Sequence, residues 1–403
     1  MSVSVRRPVI FMMDLWATVP YYTAYLSKAL LREGVNLTVG SITYYLDTDC
    51  FSRRGIKVDP GLMDVVGKFN LPRLPRRILK LLEALVNLVA LTVRFLISCP
   101  DVIHVQFLPM FKWRVPLDLW FVEICQWRGA KIVLTVHDLL PHDTGEAYKR
   151  TFDGLYRMVD AIICHSDHVE ARLQVEFSVP GDKISVIPHG PFFYDIPPSG
   201  DGETLRSFEL ETDGALVLWQ GIIFPYKGID LLLQSWKQVE GDVGDAYLVI
   251  AGTGAPEFLE QIRAQVKDLD LKRVKMHFRF ISTEELVALY RAASVVVYPY
   301  RAITTSGALA TGLALGKAIV ASDLPVFREL LTNGENALLV DPQNSAALAG
   351  ALVEITQNVP LREQFAQKVR EMDFGDQSWL SIAKKTIQTY ERVLSLPAAT
   401  KTQ

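Results

Sequence analysis

Short, uninterrupted apolar runs ending in polar or glycine turns, each followed by a helix-spaced segment, recur along almost the whole chain. Val9–Met13, Val35–Val39, Val102–Val105, Lys131–Val136, Ala161–Cys164 and Lys183–Ile187 form one series. Ala215–Trp219, Ala246–Ile250, Val274–Phe280, Ser294–Val297, Ala318–Ala321 and Asn336–Val340 form a second. Runs without polar alternation are the mark of strands buried on both faces, as in a parallel sheet covered by helices. Two such series predict two doubly wound α/β domains. Residues 188–204, rich in Pro, Gly, Ser and Asp, have a linker's composition. The boundaries drawn are 1–196, 197–376 and a terminal amphipathic helix within 377–403.

Ligand sites in such folds lie beyond the carboxyl ends of the strands, so the turns there carry the functional reading. The strongest is the stretch from Val295 to Asp323: strand, the polar turn Ile303-Thr304-Thr305-Ser306-Gly307, a small-residue helix, and a second strand. Unpaired amides and the positive end of the helix dipole make such a start an anion site. Small residues there, Gly307 among them, let a ligand approach the backbone. An ordinary, well-capped crossover has the same pattern. Lys131–Val136 ends in His137-Asp138, followed by Pro141-His142-Asp143, a polar cluster on the sheet rim. Gln220–Lys227 and Ala251-Gly252-Thr253-Gly254 are further rim loops. The first strand instead exits through Asp14-Leu15-Trp16-Ala17-Thr18-Val19-Pro20, which lacks glycine, so no GxGxxG dinucleotide fingerprint is present.

With 403 residues and a formal net charge of −3, the chain has no global footprint for nucleic acid. Cys50, Cys99, Cys125 and Cys164 lack metal spacing and read as thiols of a reducing compartment. The run Val9–Met13 is too short for a signal peptide, which predicts a cytoplasmic protein. Asp47-Thr48-Asp49 has the form of a metal-holding DxD, a spacing also frequent by chance. Lys68, Arg73, Arg76, Arg77 and Lys80 precede a long apolar helix reaching Ile97, on which Arg76, Lys80, Glu83, Asn87 and Arg94 share one stripe. Charges inside the run argue against a membrane span. Two readings remain: a helix mostly buried in its own domain, taken as the default, or one on a membrane surface, giving a peripheral membrane contact through residues 68–97.

Five motifs in order, Thr135-Val136-His137-Asp138, Ile187-Pro188-His189-Gly190, Lys227-Gly228-Ile229-Asp230, Ala251-Gly252-Thr253-Gly254 and Gly316-Lys317-Ala318-Ile319-Val320-Ala321-Ser322-Asp323, resemble the retaining glycosyltransferases of family 4, or group 1. The resemblance covers nearly the whole chain. It implies the GT-B architecture: two Rossmann-like domains facing across a cleft, with the last helix, Trp379–Leu394, crossing back to the N-terminal domain. It implies a nucleotide-sugar donor held mainly by the C-terminal domain, a glycan or lipid-linked acceptor, no cofactor and no bound metal. Lys227 would then neutralise the departing diphosphate, with Arg301 as a second cation. The amides of Thr305, Ser306 and Gly307, with Thr304 beside them, would hold the β-phosphate. His137 would position the donor sugar, and Asp138, Gly221, Gly252 and Glu329 would complete the binding site.

The sequence departs from the family pattern in three places. Its usual paired glutamates fall on Ile303 and Thr311, its arginine after the first glycine of the Lys227 loop is Ile222, and its N-terminal glycine pair is absent. A divergent branch in which Thr304-Thr305-Ser306-Gly307 takes over is the reading favoured. The expected activity is metal-independent retaining transfer in bacterial polysaccharide or glycolipid synthesis. Its alternatives are a catalytically silent nucleotide-sugar-binding subunit and a nucleotide-sugar epimerase.

Overall fold

A computed structural model of the chain describes residues 7–69, 72–108, 117–140, 148–198, 201–210, 214–372 and 374–396. They contain two parallel sheets of six strands each. In the first, β1 (Val9–Asp14), β2 (Asn36–Ser41), β3 (Val102–Val105), β4 (Lys131–Thr135), β5 (Ala161–Cys164) and β6 (Ile184–Val186) lie in the order β2-β1-β3-β4-β5-β6. In the second, β7 (Leu216–Gln220), β8 (Tyr247–Ala251), β9 (Val274–His277), β10 (Val295–Tyr298), β11 (Ala318–Ser322) and β12 (Ala337–Val340) lie in the order β12-β11-β10-β7-β8-β9. The apolar runs are the strands because both faces are covered: β3, β5, β10 and β11 are buried at every position. In each sheet the chain reverses direction once, between β1 and β3 and between β7 and β10, and these are the crevices where such sheets take ligands.

The chain divides into one unit of Met1–Pro188 with Trp379–Gln403 and another of His189–Ser378. The first unit thus ends earlier than the boundary drawn at 196. The reason is packing: Phe193 and Ile196 are buried in the second unit, where the Arg291 guanidinium donates to the Ile196 carbonyl. In the first unit the Asp376–Ser395 helix stacks Trp379 on Tyr25 at 5.5 Å and sets the Tyr390 hydroxyl 2.6 Å from His104 Nδ1.

The helix at Arg73–Ile97 corrects the default of burial within its own domain. Its polar stripe is the side that faces inward. Glu83 Oε1 accepts the amides of Val65 and Val66 at 2.6 and 3.1 Å. The Asn87 amide pairs with both the N–H and the carbonyl of Met63, and Arg94 meets Asp59 at 2.5 Å. These side chains satisfy an irregular segment that has no strand partner, which is why polar groups are affordable inside. The apolar arc is left outside, with Leu82 51% and Val89 57% exposed.

In the second unit the Thr283–Ala292 helix opens with a capping box between Ser282 and Glu285. Arg279 grips Glu285 through 2.7 and 2.9 Å bonds, and this contact pulls its carboxyl down to about 2 against the opposing effect of burial. A carboxyl depressed on folding stabilises the fold at neutral pH and loses that contribution as acid protonates it. Glu285→Gln is therefore expected to lower the melting temperature at pH 7, and the gap to the parent should close as pH falls from about 4.5 to about 2. A gap that stays constant across that range in parallel thermal melts would refute this account.

Candidate active site

In the second unit, the exits of β7 and β10 meet at the switch point. Gly221 follows β7 with φ +144°, and any Cβ there would stand 2.8 Å from Lys227 Nζ. The Pro225–Lys227 turn brings Lys227 back over the strand end, with Nζ 5.9 Å from the Trp219 ring and 5.3 Å from the Tyr300 ring. Gly252, at the exit of β8 with φ +150°, lies against the Gly221 carbonyl, and the Gly221 amide donates to Ala251 at 3.1 Å. The β10 exit is tied to the same turn by the Arg301 amide, which donates to the Tyr226 carbonyl at 2.7 Å.

Eight residues past that strand, Ser306 caps the Gly307–Ala314 helix, its Oγ accepting the Leu309 amide at 3.1 Å. Helices begin with amides that lack intrahelical partners, and this one begins at Gly307 behind its Ser306 cap. Thr304 is buried just ahead of that cap, and a Cβ on Gly307 would press on Phe192 at 2.9 Å. Burial drives the Tyr300 phenol far above its usual range while the Ser306 hydroxyl draws it back, so Tyr300 stays neutral between Lys227 and the helix start. Lys227, Gly221, Gly252 and the 304–307 turn are thus brought together.

The remaining predicted residues of this unit sit differently. Arg301 forms a two-point pair with Asp230 at 2.9 and 2.6 Å and also donates to the Pro225 carbonyl. Its charge is met within the fold, and with Asp230, Pro225, Tyr226 and Phe258 it lines a cavity of about 390 Å3. Thr311 points inward and donates to the Gly307 carbonyl at 2.8 Å. Glu329 is exposed at the end of the Pro325–Arg328 turn of helix, whose Phe327 packs on Tyr300. Lys317 has a structural post, with Nζ on the carbonyls of Arg291 and Ala293.

In the first unit, His137 emerges from β4 half-buried, with Asp138 exposed beside it. Its Nε2 lies 3.0 Å from Gln106 Oε1, its Nδ1 3.4 Å from His165 Nε2, and Tyr22 meets its ring edge-on at 4.8 Å. His165 donates from Nδ1 to the Ile187 carbonyl, and burial lowers its imidazole to about 4, keeping it neutral at pH 7. Burial likewise lowers His104, which contacts the Gln106 amide, to about 3. The ring of His137 is therefore oriented from both nitrogens by its own unit. Gln106 and His104 were not among the predicted residues; only their place at a strand end in the same sheet signals them. Pro141, His142 and Asp143 lie outside the described residues.

The β1 exit explains the missing glycine loop. Asp14 Oδ1 accepts the Thr18 amide at 2.8 Å, and Oδ2 accepts the Val19 amide and the Thr23 hydroxyl, each at 3.2 Å. The amides that open the Pro20–Arg32 helix region are met by a side chain. Among the described residues no group of three His, Cys, Asp or Glu is arranged to hold a metal ion. Asp47 accepts from the Tyr21 hydroxyl and lies 4.0 Å from Arg53.

Residues 202–372 match the family Glycosyl transferases group 1, and residues 19–190 match Glycosyltransferase Family 4. A glycosyltransferase of Methanocaldococcus jannaschii is 26% identical over 225 residues, covering 55% of this chain and 57% of that protein. A phosphatidyl-myo-inositol mannosyltransferase of Mycobacterium leprae is 34% identical over 177 residues, covering 42% of this chain and 44% of that protein. The matched part thus spans about half the length of these curated relatives. The solved structure of Anabaena Alr3699/HepE in complex with UDP and glucose superposes with a TM-score of 0.72 at 17% identity, over 96% of this chain and 100% of that one. Two Rossmann-like sheets with the motif-bearing turns at their strand ends, and a family match over each half, give one conclusion: the chain belongs to the group 1, family 4 glycosyltransferases of GT-B fold.

Proposed function

We propose that the chain transfers a sugar from a nucleotide-sugar donor to a glycan or a lipid-linked acceptor, with retention and without a metal. The observation that carries this reading is the convergence of Lys227, Tyr300 and the Ser306-capped helix start on one switch point. A departing nucleoside diphosphate gains negative charge, which an ammonium and a row of helix-start amides stabilise without reorganising. His137, fixed by Gln106 and His165, acts as a positioning ring for the sugar and not as a nucleophile. The relatives named as mannosyltransferases support a hexosyl donor and acceptors in bacterial glycan or glycolipid synthesis.

The test is incubation of the protein with a panel of uridine- and guanosine-diphosphate sugars, followed by product analysis. Release of nucleoside diphosphate from at least one donor is expected, and its absence across the panel refutes the activity. One arrangement favours a silent nucleotide-sugar-binding subunit instead: Arg301 is paired with Asp230, and Thr311 is turned inward. Tight diphosphate binding with no turnover for any acceptor would select that reading.

A further inference from the structure

The Arg73–Ile97 helix buries its polar side and leaves an apolar one in solvent. Glu83 and Asn87 are each 1% exposed, while every exposed residue from Ile78 to Ile97 is Leu, Ile, Val or Ala. Ile78, Val86, Val93 and Ile97 are 54%, 49%, 55% and 79% exposed. At 1.5 Å per residue this face runs for about 30 Å without a charge. A continuous exposed apolar surface of that kind marks an interaction site.

Its borders identify the partner. Among the residues between 72 and 98 whose exposure is described, the exposed positions carry a single charge, the cation Arg77, and no acid. Lys68 lies exposed just ahead, and Arg76 and Lys80 rest over the Tyr45 ring at 4.5 and 5.1 Å. The neighbouring Leu117–Trp127 helix brings two indoles to the surface, Trp120 at 53% and Trp127 at 61% exposed, with Arg128 5.9 Å from the Trp127 ring. An apolar arc with tryptophans and cations alongside fits the boundary between acyl chains and anionic headgroups. A second copy would bring the same run of cations, with Glu123, between the two indoles, the one exposed acid described on these two helices to meet them. Among the described residues no helix is long and apolar enough to cross a membrane, so a helix seated here lies along the surface.

We infer that this face docks the protein on an anionic lipid bilayer, with the Arg73–Ile97 helix parallel to the membrane plane. No sugar chemistry enters the test, so it stands or falls separately from the transferase reading. The full chain is floated with vesicles of phosphatidylcholine alone and with about 30% phosphatidylglycerol added. Flotation is expected with the anionic vesicles, about tenfold stronger than with the neutral ones, together with a blue shift of tryptophan emission. The paired substitutions Val86→Asp and Val89→Asp are expected to weaken binding by about tenfold or more while leaving the circular-dichroism melt unchanged. If that pair fails to fold, Leu82→Ser with Val93→Ser probes the same face. Absence of flotation, binding unchanged by the folded variant, or dimers that the same variants dissociate while vesicles are ignored would each overturn the inference.

Discussion

Lys227→Ala is expected to lower kcat by about 100- to 1,000-fold, with KM for the donor changed far less. The size follows from the proposed role: the charge that Lys227 would meet grows as the sugar–phosphate bond breaks, so its stabilisation would be larger in the transition state than in the ground state. The same substitution removes little from the fold. Lys227 is half-buried, and the packing it loses is a cation above the Trp219 and Tyr300 rings at 5.9 and 5.3 Å. Contacts of that kind are worth about 0.5–1 kcal/mol. A melting temperature within a few degrees of the parent is the accompanying control. Turnover retained within threefold would remove Lys227 from the leaving-group site, whatever the activity of the parent.

Gly252→Ala has the largest expected effect on stability. The backbone at Gly252 has φ +150°, and an added Cβ would collide with the carbonyl of Gly221 on the adjoining strand exit. Holding a non-glycine residue in that region costs about 1–3 kcal/mol before the collision is relieved. Relief means parting the β7 and β8 exits, which would carry Gly221 and, with it, Lys227 out of place. A fall in melting temperature of about 5–10 °C is expected for a unit of this size, together with loss of activity in the protein that remains folded. Gly334→Ala is the matched control: φ is +78°, but nothing lies within 4 Å of its added Cβ. It should show the strain alone. Equal losses for the two variants would mean that the close approach of the β7 and β8 exits is not what Gly252 serves.

The strands and the serine-capped helix start were legible because both are written locally. Buried parallel strands have no polar alternation, and a serine followed by small residues after such a run can do little but cap a helix. Contacts made across the sequence were not legible. Arg301 read as a cation for the ligand, yet Asp230, its partner, lies 71 positions away. The stripe of Arg76, Lys80, Glu83, Asn87 and Arg94 was visible as a stripe, but its direction was not. A helical wheel assigns polar residues to water, whereas here they satisfy the backbone of Met63, Val65 and Val66. Gln106 was missed because nothing near it in the chain marks it; it matters through β3 lying beside β4, which sets it against His137.

The Asp14 carboxylate has a consequence for the division of labour within the polypeptide. By accepting the amides of Thr18 and Val19 it fills, with the chain's own carboxyl oxygens, the corner of the first sheet that a solute phosphate would otherwise take. An incoming phosphate there would meet occupied donors, whereas the equivalent corner of the second sheet sets the Lys227 ammonium beside Gly221. Two halves built on one topology are in this way made chemically unequal by one aspartate.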